Sequence, residues 1–221
     1  MTTTATIAAR VDELHAQMAA HAPDEVLAIN ARDRAELAAS GTPAAVAKVG
    51  AVLADSELLD VNGMTTSFYA VTAGAAAVVV FYRGAWCPYC NIALASYQEK
   101  LVPELTKRAV TLIAVSPQTP DGSLTMQQKN DLTFTVVSDP GNVLAAQLGI
   151  VTRPSDEILA MQKKLGVDIS QANADGGPTL AMPTVLILDA VHMLRWIDVH
   201  PDYSTRSEPT QILAALDAAG I

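Results

Sequence analysis

The chain's two cysteines, Cys87 and Cys90, both stand in the segment Phe81-Tyr82-Arg83-Gly84-Ala85-Trp86-Cys87-Pro88-Tyr89-Cys90-Asn91. Cysteines in C-x-x-C spacing do one of two things. They supply half of a tetrahedral metal site, or they form a dithiol that closes reversibly into a disulfide. A zinc site would need two further ligands. The four histidines, His15, His21, His192 and His200, do not follow finger spacing, and no second C-x-x-C is present. Redox chemistry uses only what the segment holds. The apolar run Ala75 to Tyr82 predicts a strand buried on both faces. Pro88 suits the first position of a helix running to about Leu101. Cys87 then falls at the N-cap and Cys90 inside the first turn. Unpaired backbone N–H groups and the positive end of the helix dipole favour a thiolate there. Arg83 adds a nearby cation, and the sulfurs are close enough to bridge across one turn.

Several elements must position this dithiol. In the N-terminal stretch 1–43, Ile7, Val11, Leu14 and Met18 form one apolar stripe of a helix over residues 4–21. A second helix starts beyond Pro23 with Asp24 and Glu25 and runs to Ser40, before Gly41-Thr42-Pro43 stops it. This reads as a helical hairpin laid on, or exchanged between, the bodies of the main domain, or as a loosely packed Ala-rich extension. Its apolar stripe suits a homodimer and intramolecular packing equally well. The main domain spans 44–221. Val52–Leu59 and Thr65–Val71 flank Asn62-Gly63 as a hairpin. Val110–Ser116 and Phe134–Ser138 read as further strands, with a helix forming late in 117–129 and a short one over Asn142–Leu148. Thr184–Asp189 and Leu194–Val199 make a β-pair, and Glu208–Ala219 closes the chain as a helix. Strands alternating with helices before a terminal hairpin predict an α/β fold with a mixed central sheet.

The 221 residues carry 14 basic and 23 acidic side chains, a formal charge of −9 that disfavours nucleic acid and anionic membranes as partners. Half the residues are apolar and 17% are charged, which excludes pervasive disorder. The longest apolar stretch, about 73–82, is too short to span a bilayer. The N-terminus lacks the n-region, apolar core and cleavage site of a signal peptide, so a cytoplasmic protein is expected. No Gly-rich nucleotide motif is present.

Strand, W-C-P-Y-C, helix is the active-site pattern of the thioredoxin superfamily, and C-P-Y-C is also the glutaredoxin form. Beyond it, Val49-Gly50 to Gly63, Thr111–Pro117 (TLIAVSP) and Phe134–Ile150 (FTVVSDPGNVLAAQLGI) resemble the peroxiredoxins, in the alkyl hydroperoxide reductase/thiol-specific antioxidant branch. The resemblance covers about residues 45–200. It implies a thioredoxin fold, no bound cofactor, and an external thiol reductant such as thioredoxin, glutathione or a glutaredoxin-type protein. Laid on the family's T-x-x-C, Cys90 takes the peroxidatic place and Cys87 that of the threonine. The family's active-site arginine would fall near Met182 and is missing, with Arg83 or Arg195 as possible substitutes. Met182-Pro183-Thr184 instead looks like the cis-proline corner of thioredoxins.

Two chemistries follow. In a peroxidase, Cys90 attacks the peroxide O–O bond and Cys87 resolves the sulfenic acid to a disulfide. In a disulfide exchanger, Cys87 attacks a substrate disulfide and Cys90 releases it. A third reading is a binding module that uses the dithiol as a redox sensor. The breadth of the resemblance favours the peroxidase. Trp86 and Tyr82 are expected to line the site, together with Arg83 and Pro183. His200 is a candidate proton carrier, more simply read as a loop histidine. Asp175-Gly176-Gly177-Pro178 is either a cover for the site or a turn.

Overall fold

The computed structural model describes residues 5–221, so residue 4 of the expected first helix lies outside the described residues. In chain order come α1 (Ile7–His21), α2 (Asp24–Ser40), β1 (Glu57–Leu59), β2 (Thr65–Ser67), α3 (Phe68–Thr72), β3 (Ala77–Phe81), α4 (Pro88–Lys100) and α5 (Val102–Lys107). There follow β4 (Thr111–Ser116), α6 (Pro120–Lys129), β5 (Thr135–Ser138), α7 (Val143–Gln147), β6 (Val151–Thr152), α8 (Asp156–Lys164), α9 (Ile169–Ala172) and β7 (Leu180–Ala181). The chain ends with β8 (Thr184–Leu188), β9 (Leu194–Val199) and α10 (Pro209–Ala219).

Seven strands form one mixed sheet in the order β2-β1-β5-β4-β3-β8-β9. The three central strands β5, β4 and β3 run parallel, and β8 and β9 add antiparallel on one side. Strand alternation divides the apolar residues between two layers. Val78 and Val80 of β3, Leu112 and Ala114 of β4, and Val185 and Ile187 of β8 face one cluster with α1, α4 and α10. Ala77, Val79, Phe81, Ile113, Val115, Leu186 and Leu188 face the other, with Phe68 of α3 and Leu144 of α7. Both faces are covered, which is why these strands read as unbroken apolar runs.

The Asn62-Gly63 hairpin is present. Gly63 takes φ +79°, and Asp60 Oδ1 accepts the N–H groups of Asn62 and Met64. Its strands are shorter than expected. Val52 makes only an isolated bridge to Met193, and β2 stops at Ser67 because that side chain caps α3 by accepting the Ala70 N–H. Between 150 and 183, where no elements were expected, the chain builds β6, α8, α9 and β7. Ser155 caps α8, acidic Asp156 and Glu157 open it, and Lys163 and Lys164 close it, all favourable to the helix dipole.

The apolar stripe of α1 packs intramolecularly. Ile7 and Val11 are buried in the first cluster, Leu14 packs on it, and Met18 is only half-covered. The Glu208 carboxylate holds the start of α1 by accepting the N–H groups of Ile7 and Ala8. Arg10 bonds Ser96 and Glu99 on α4. His15 meets the Tyr89 hydroxyl at 3.0 Å and the Arg34 guanidinium of α2, and burial, then Arg34, hold its pKa below the usual histidine value. Arg34 thus ties α2 to α1. On its other side α2 lies along α8, where Arg32 pairs with Glu157.

Candidate active site

The sequence feeds the dithiol from the C-terminal end of β3. Arg83 and Gly84 leave the strand with Gly84 at φ +156°, and a Cβ there would collide with the Trp86 indole and press on Gln118. The Gln118 side chain, at the end of β4, accepts the Ala85 N–H. Cys87 is the N-cap of α4 and Pro88 its first residue, as the spacing predicts. Asn91 fastens the approach by donating to the carbonyls of Ala85 (2.9 Å) and Cys87 (2.8 Å). The last residue of the motif is therefore a brace for the loop that carries the cysteines.

Both cysteines are free thiols and each is 1% exposed. They differ in charge. Burial raises the Cys87 thiol well above its ordinary value, and the adjacent Cys90 raises it further. Burial alone would do the same to Cys90. It is outweighed by a hydrogen bond from the Cys87 thiol, the Arg206 guanidinium and the Arg83 backbone N–H, so Cys90 falls well below. The geometry agrees: Cys90 Sγ accepts Arg206 Nη2 at 3.0 Å and the Arg83 N–H at 3.5 Å. Of the two sulfurs, Cys90 is the one whose surroundings favour the thiolate, and Cys87 the one whose surroundings favour the thiol.

Arg206 was not expected in this role. It precedes α10, and its Nη1 donates to the carbonyls of Tyr203 and Thr205, leaving Nη2 for the sulfur. The neighbouring Ser207 carbonyl accepts the Tyr97 hydroxyl of α4 at 2.8 Å, which locks this segment to the cysteine helix. Neither expected substitute plays this part. Arg195 is 40% exposed and its carboxylate neighbour is Asp189 at 3.7 Å. Arg83 reaches Cys90 through its backbone, while its guanidinium stacks over Tyr203 (4.1 Å) and Trp86 (5.0 Å).

Trp86 flanks the dithiol with its indole N–H buried and unpartnered. Tyr82 is fully buried, and desolvation raises its hydroxyl to about 12. Pro183 stands just before β8, and its peptide bond, whose isomer the sequence leaves open, is trans: no cis bond occurs among the described residues. His200 bonds Asp198, Thr205 and Ser207 and makes no contact with either sulfur, so it braces the Arg206 segment. Asp175–Pro178 is a turn, closed by Asp175 on the Gly177 N–H and by Asn173 on the Gly177 carbonyl.

The model of the AhpC/TSA family matches residues 49–197. No curated protein matches the chain. Among solved structures, the chain is similar to the peroxidoxin BcpB of Mycobacterium tuberculosis (18% identity, TM-score 0.60, covering 77% of this chain and 97% of that one). It is similar to reduced Prx3 of Vibrio vulnificus in complex with hydrogen peroxide (18%, 0.62, 77% and 99%) and to AhpC of M. tuberculosis (18%, 0.57, 80% and 99%). These likenesses establish the thioredoxin fold of the peroxiredoxins.

Proposed function

Because the chain belongs to the AhpC/TSA family of thiol-dependent peroxidases, we propose that it reduces hydrogen peroxide or an alkyl hydroperoxide through a Cys87/Cys90 dithiol–disulfide cycle. The observation that carries this reading is the Arg206–Cys90 contact at 3.0 Å, which stabilises a thiolate on the cysteine that aligns with the family's nucleophile. Cys90 thiolate attacks one peroxide oxygen. The O–O bond breaks, Cys90 becomes a sulfenic acid, and the leaving oxygen takes a proton to depart as water or an alcohol. The Arg206 guanidinium faces the sulfur where this charge shifts, as electrostatic catalysis requires. Cys87, held as a thiol, then attacks the sulfenic sulfur and releases water, leaving the Cys87–Cys90 disulfide. Two external thiol equivalents, from thioredoxin, glutathione or a glutaredoxin-type protein, reduce it. No bound cofactor enters these steps. A cytoplasmic setting and a possible homodimer complete the reading.

Disulfide exchange starting from Cys87 fits less well, since burial and the adjacent Cys90 raise its thiol while the equally buried Cys90 is lowered. Trapping of the first oxidation product tests the assignment. After one equivalent of hydrogen peroxide, Cys87→Ser should carry a sulfenic acid on Cys90 that a dimedone-type reagent captures, and the unmodified protein should lose two hydrogens as a disulfide. Capture on Cys87 in Cys90→Ser at an undiminished rate would reverse the roles.

A further inference from the structure

A pocket of about 270 Å³ opens between α2, the β6–β7 pair and the start of β8, apart from the sulfurs. Its apolar lining includes Leu37, Leu180, Met182 and Pro183. Arg83 joins it to the dithiol: the backbone N–H touches Cys90 Sγ, and the side chain lines the pocket. That residue is 5% exposed, and its guanidinium has aromatic rings on it but no hydrogen-bond acceptor and no ion pair among the described residues. Its in-plane donors are free to take an acceptor that enters the pocket. The other arginine on the wall, Arg153, is already paired with Asp156 at 2.6 Å. Two carboxyl groups, Asp33 and Glu36, also line the pocket. Asp33 is near the Tyr203 hydroxyl and within electrostatic reach of Arg83. Burial raises its carboxyl above the ordinary value, while the Tyr203 hydrogen bond and the Arg83 charge act the other way, and no ion pair between Asp33 and Arg83 is formed among the described residues.

An apolar lining with one unpaired, planar cation fits an amphiphilic carboxylate, which a guanidinium grips with two hydrogen bonds. Hydrogen peroxide needs no such pocket. We propose that this pocket binds the carboxylate of an organic reactant of the thiol cycle, with Arg83 as its anion-binding group and the apolar body against Leu37, Leu180 and Met182. The proposal rests on the peroxidase reading for the word reactant, while the pocket's affinity for a carboxylate stands apart from it. The same chemistry can enter on the oxidant, as a carboxylate-bearing organic hydroperoxide, or on the reductant, as a low-molecular-weight thiol such as glutathione.

Binding is measured first on the resting, reduced protein by calorimetry, with hexanoate as the probe and hexanamide as its uncharged counterpart. Hexanoate should bind more tightly than hexanamide, and Arg83→Gln should weaken it about tenfold or more. Arg83→Lys should recover part of the loss. Leu37→Trp, which fills the pocket and keeps Arg83, carries the test if the Arg83 variants fail to fold; it too should weaken hexanoate. Equal affinity for the two probes, or affinity indifferent to both positions, would overturn the site. Each half-reaction is then run with hexanoate present. Competition against a six-carbon hydroperoxide bearing a carboxylate, but not against tert-butyl hydroperoxide, assigns the pocket to the oxidant. Competition against glutathione, but not dithiothreitol, assigns it to the reductant. Competition against neither overturns the assignment to the cycle. Arg83-dependent hexanoate binding in a protein that consumes no peroxide would sink the peroxidase reading and leave the carboxylate site standing.

Discussion

The family-matched body, residues 49–197, and the two flanks outside it contribute different things to one site. The body supplies the central sheet, the α4 N-terminus and both cysteines. The C-terminal flank supplies Arg206, the charge facing Cys90, and Tyr203, on which Arg83 stacks. The N-terminal flank supplies α1 and α2, which cover Tyr89 and close one wall of the Arg83 pocket. A helix N-terminus and spacing bring two sulfurs together; they do not decide which sulfur holds the charge. Cys87 and Cys90 share one turn and equal burial, yet their thiols shift in opposite directions: the Cys87–Cys90 interaction lowers Cys90 and raises Cys87, and the Arg206 guanidinium and the Arg83 N–H, both in contact with Cys90, deepen the difference.

The body's share is broken most severely at the nucleophile. Cys90→Ser should lower the rate of peroxide consumption by about 10³-fold or more, read by a coupled reductant assay, since removing a covalent nucleophile leaves only residual catalysis. The flank's share comes next. Arg206→Met should slow Cys90 oxidation by about 10- to 100-fold at neutral pH, the value of one hydrogen bond to a charged group. The pH profile separates this from a packing defect. With Cys90 held below the ordinary thiol value of about 8.5, the rate should stay flat as pH falls through the ordinary thiol range and decline only near the lowered pKa. In Arg206→Met one of the influences that lower the thiol is lost, so the acid fall in rate, about tenfold per unit, should begin at a higher pH. A flat profile in both proteins would remove Arg206 from the account.

Smaller effects test how the flanks are held. Tyr97→Phe removes the donor to the Ser207 carbonyl and should cost about 1 kcal/mol of stability, with a loss of rate smaller than that of Arg206→Met. Glu208→Ala removes the acceptor for two N–H groups of α1 and one side of the α10 capping box. It should cost about 1 kcal/mol, or about 2–4 °C in Tm. A thermal scan that does not move would mean α1 is held by its apolar face alone.

What the sequence reveals follows the same division. The strand-to-helix setting of Cys87 and Cys90 was legible because apolar runs, Pro88 and C-x-x-C are local signals, and the sheet follows from them. The α8 helix was equally local, with Ser155, two acids, two lysines and Ile158/Met161 on one face, and a pattern search over 155–164 finds it. Arg206 was not legible. It stands 116 residues from Cys90, and only strand order brings it near. Phe81 pairs with Thr184 and Thr184 with Val199, so the chain leaves β9 at the same end of the sheet where β3 releases the motif. Sequence shows the strands and not their order. Histidine chemistry drew attention to His200 in the same segment, while the arginine six residues later carries the charge. The unpaired Arg83 guanidinium was invisible for a similar reason, since it depends on α2 folding back across the body.

The most direct test of the central claim is the second-order rate of Cys90 oxidation by hydrogen peroxide, followed by stopped-flow fluorescence of Trp86 and Trp196 in the reduced protein. The account predicts a rate orders of magnitude above that of a free thiolate, largely lost in Arg206→Met. A rate like that of a free thiolate, unchanged by that substitution, would contradict it and return the dithiol to disulfide exchange.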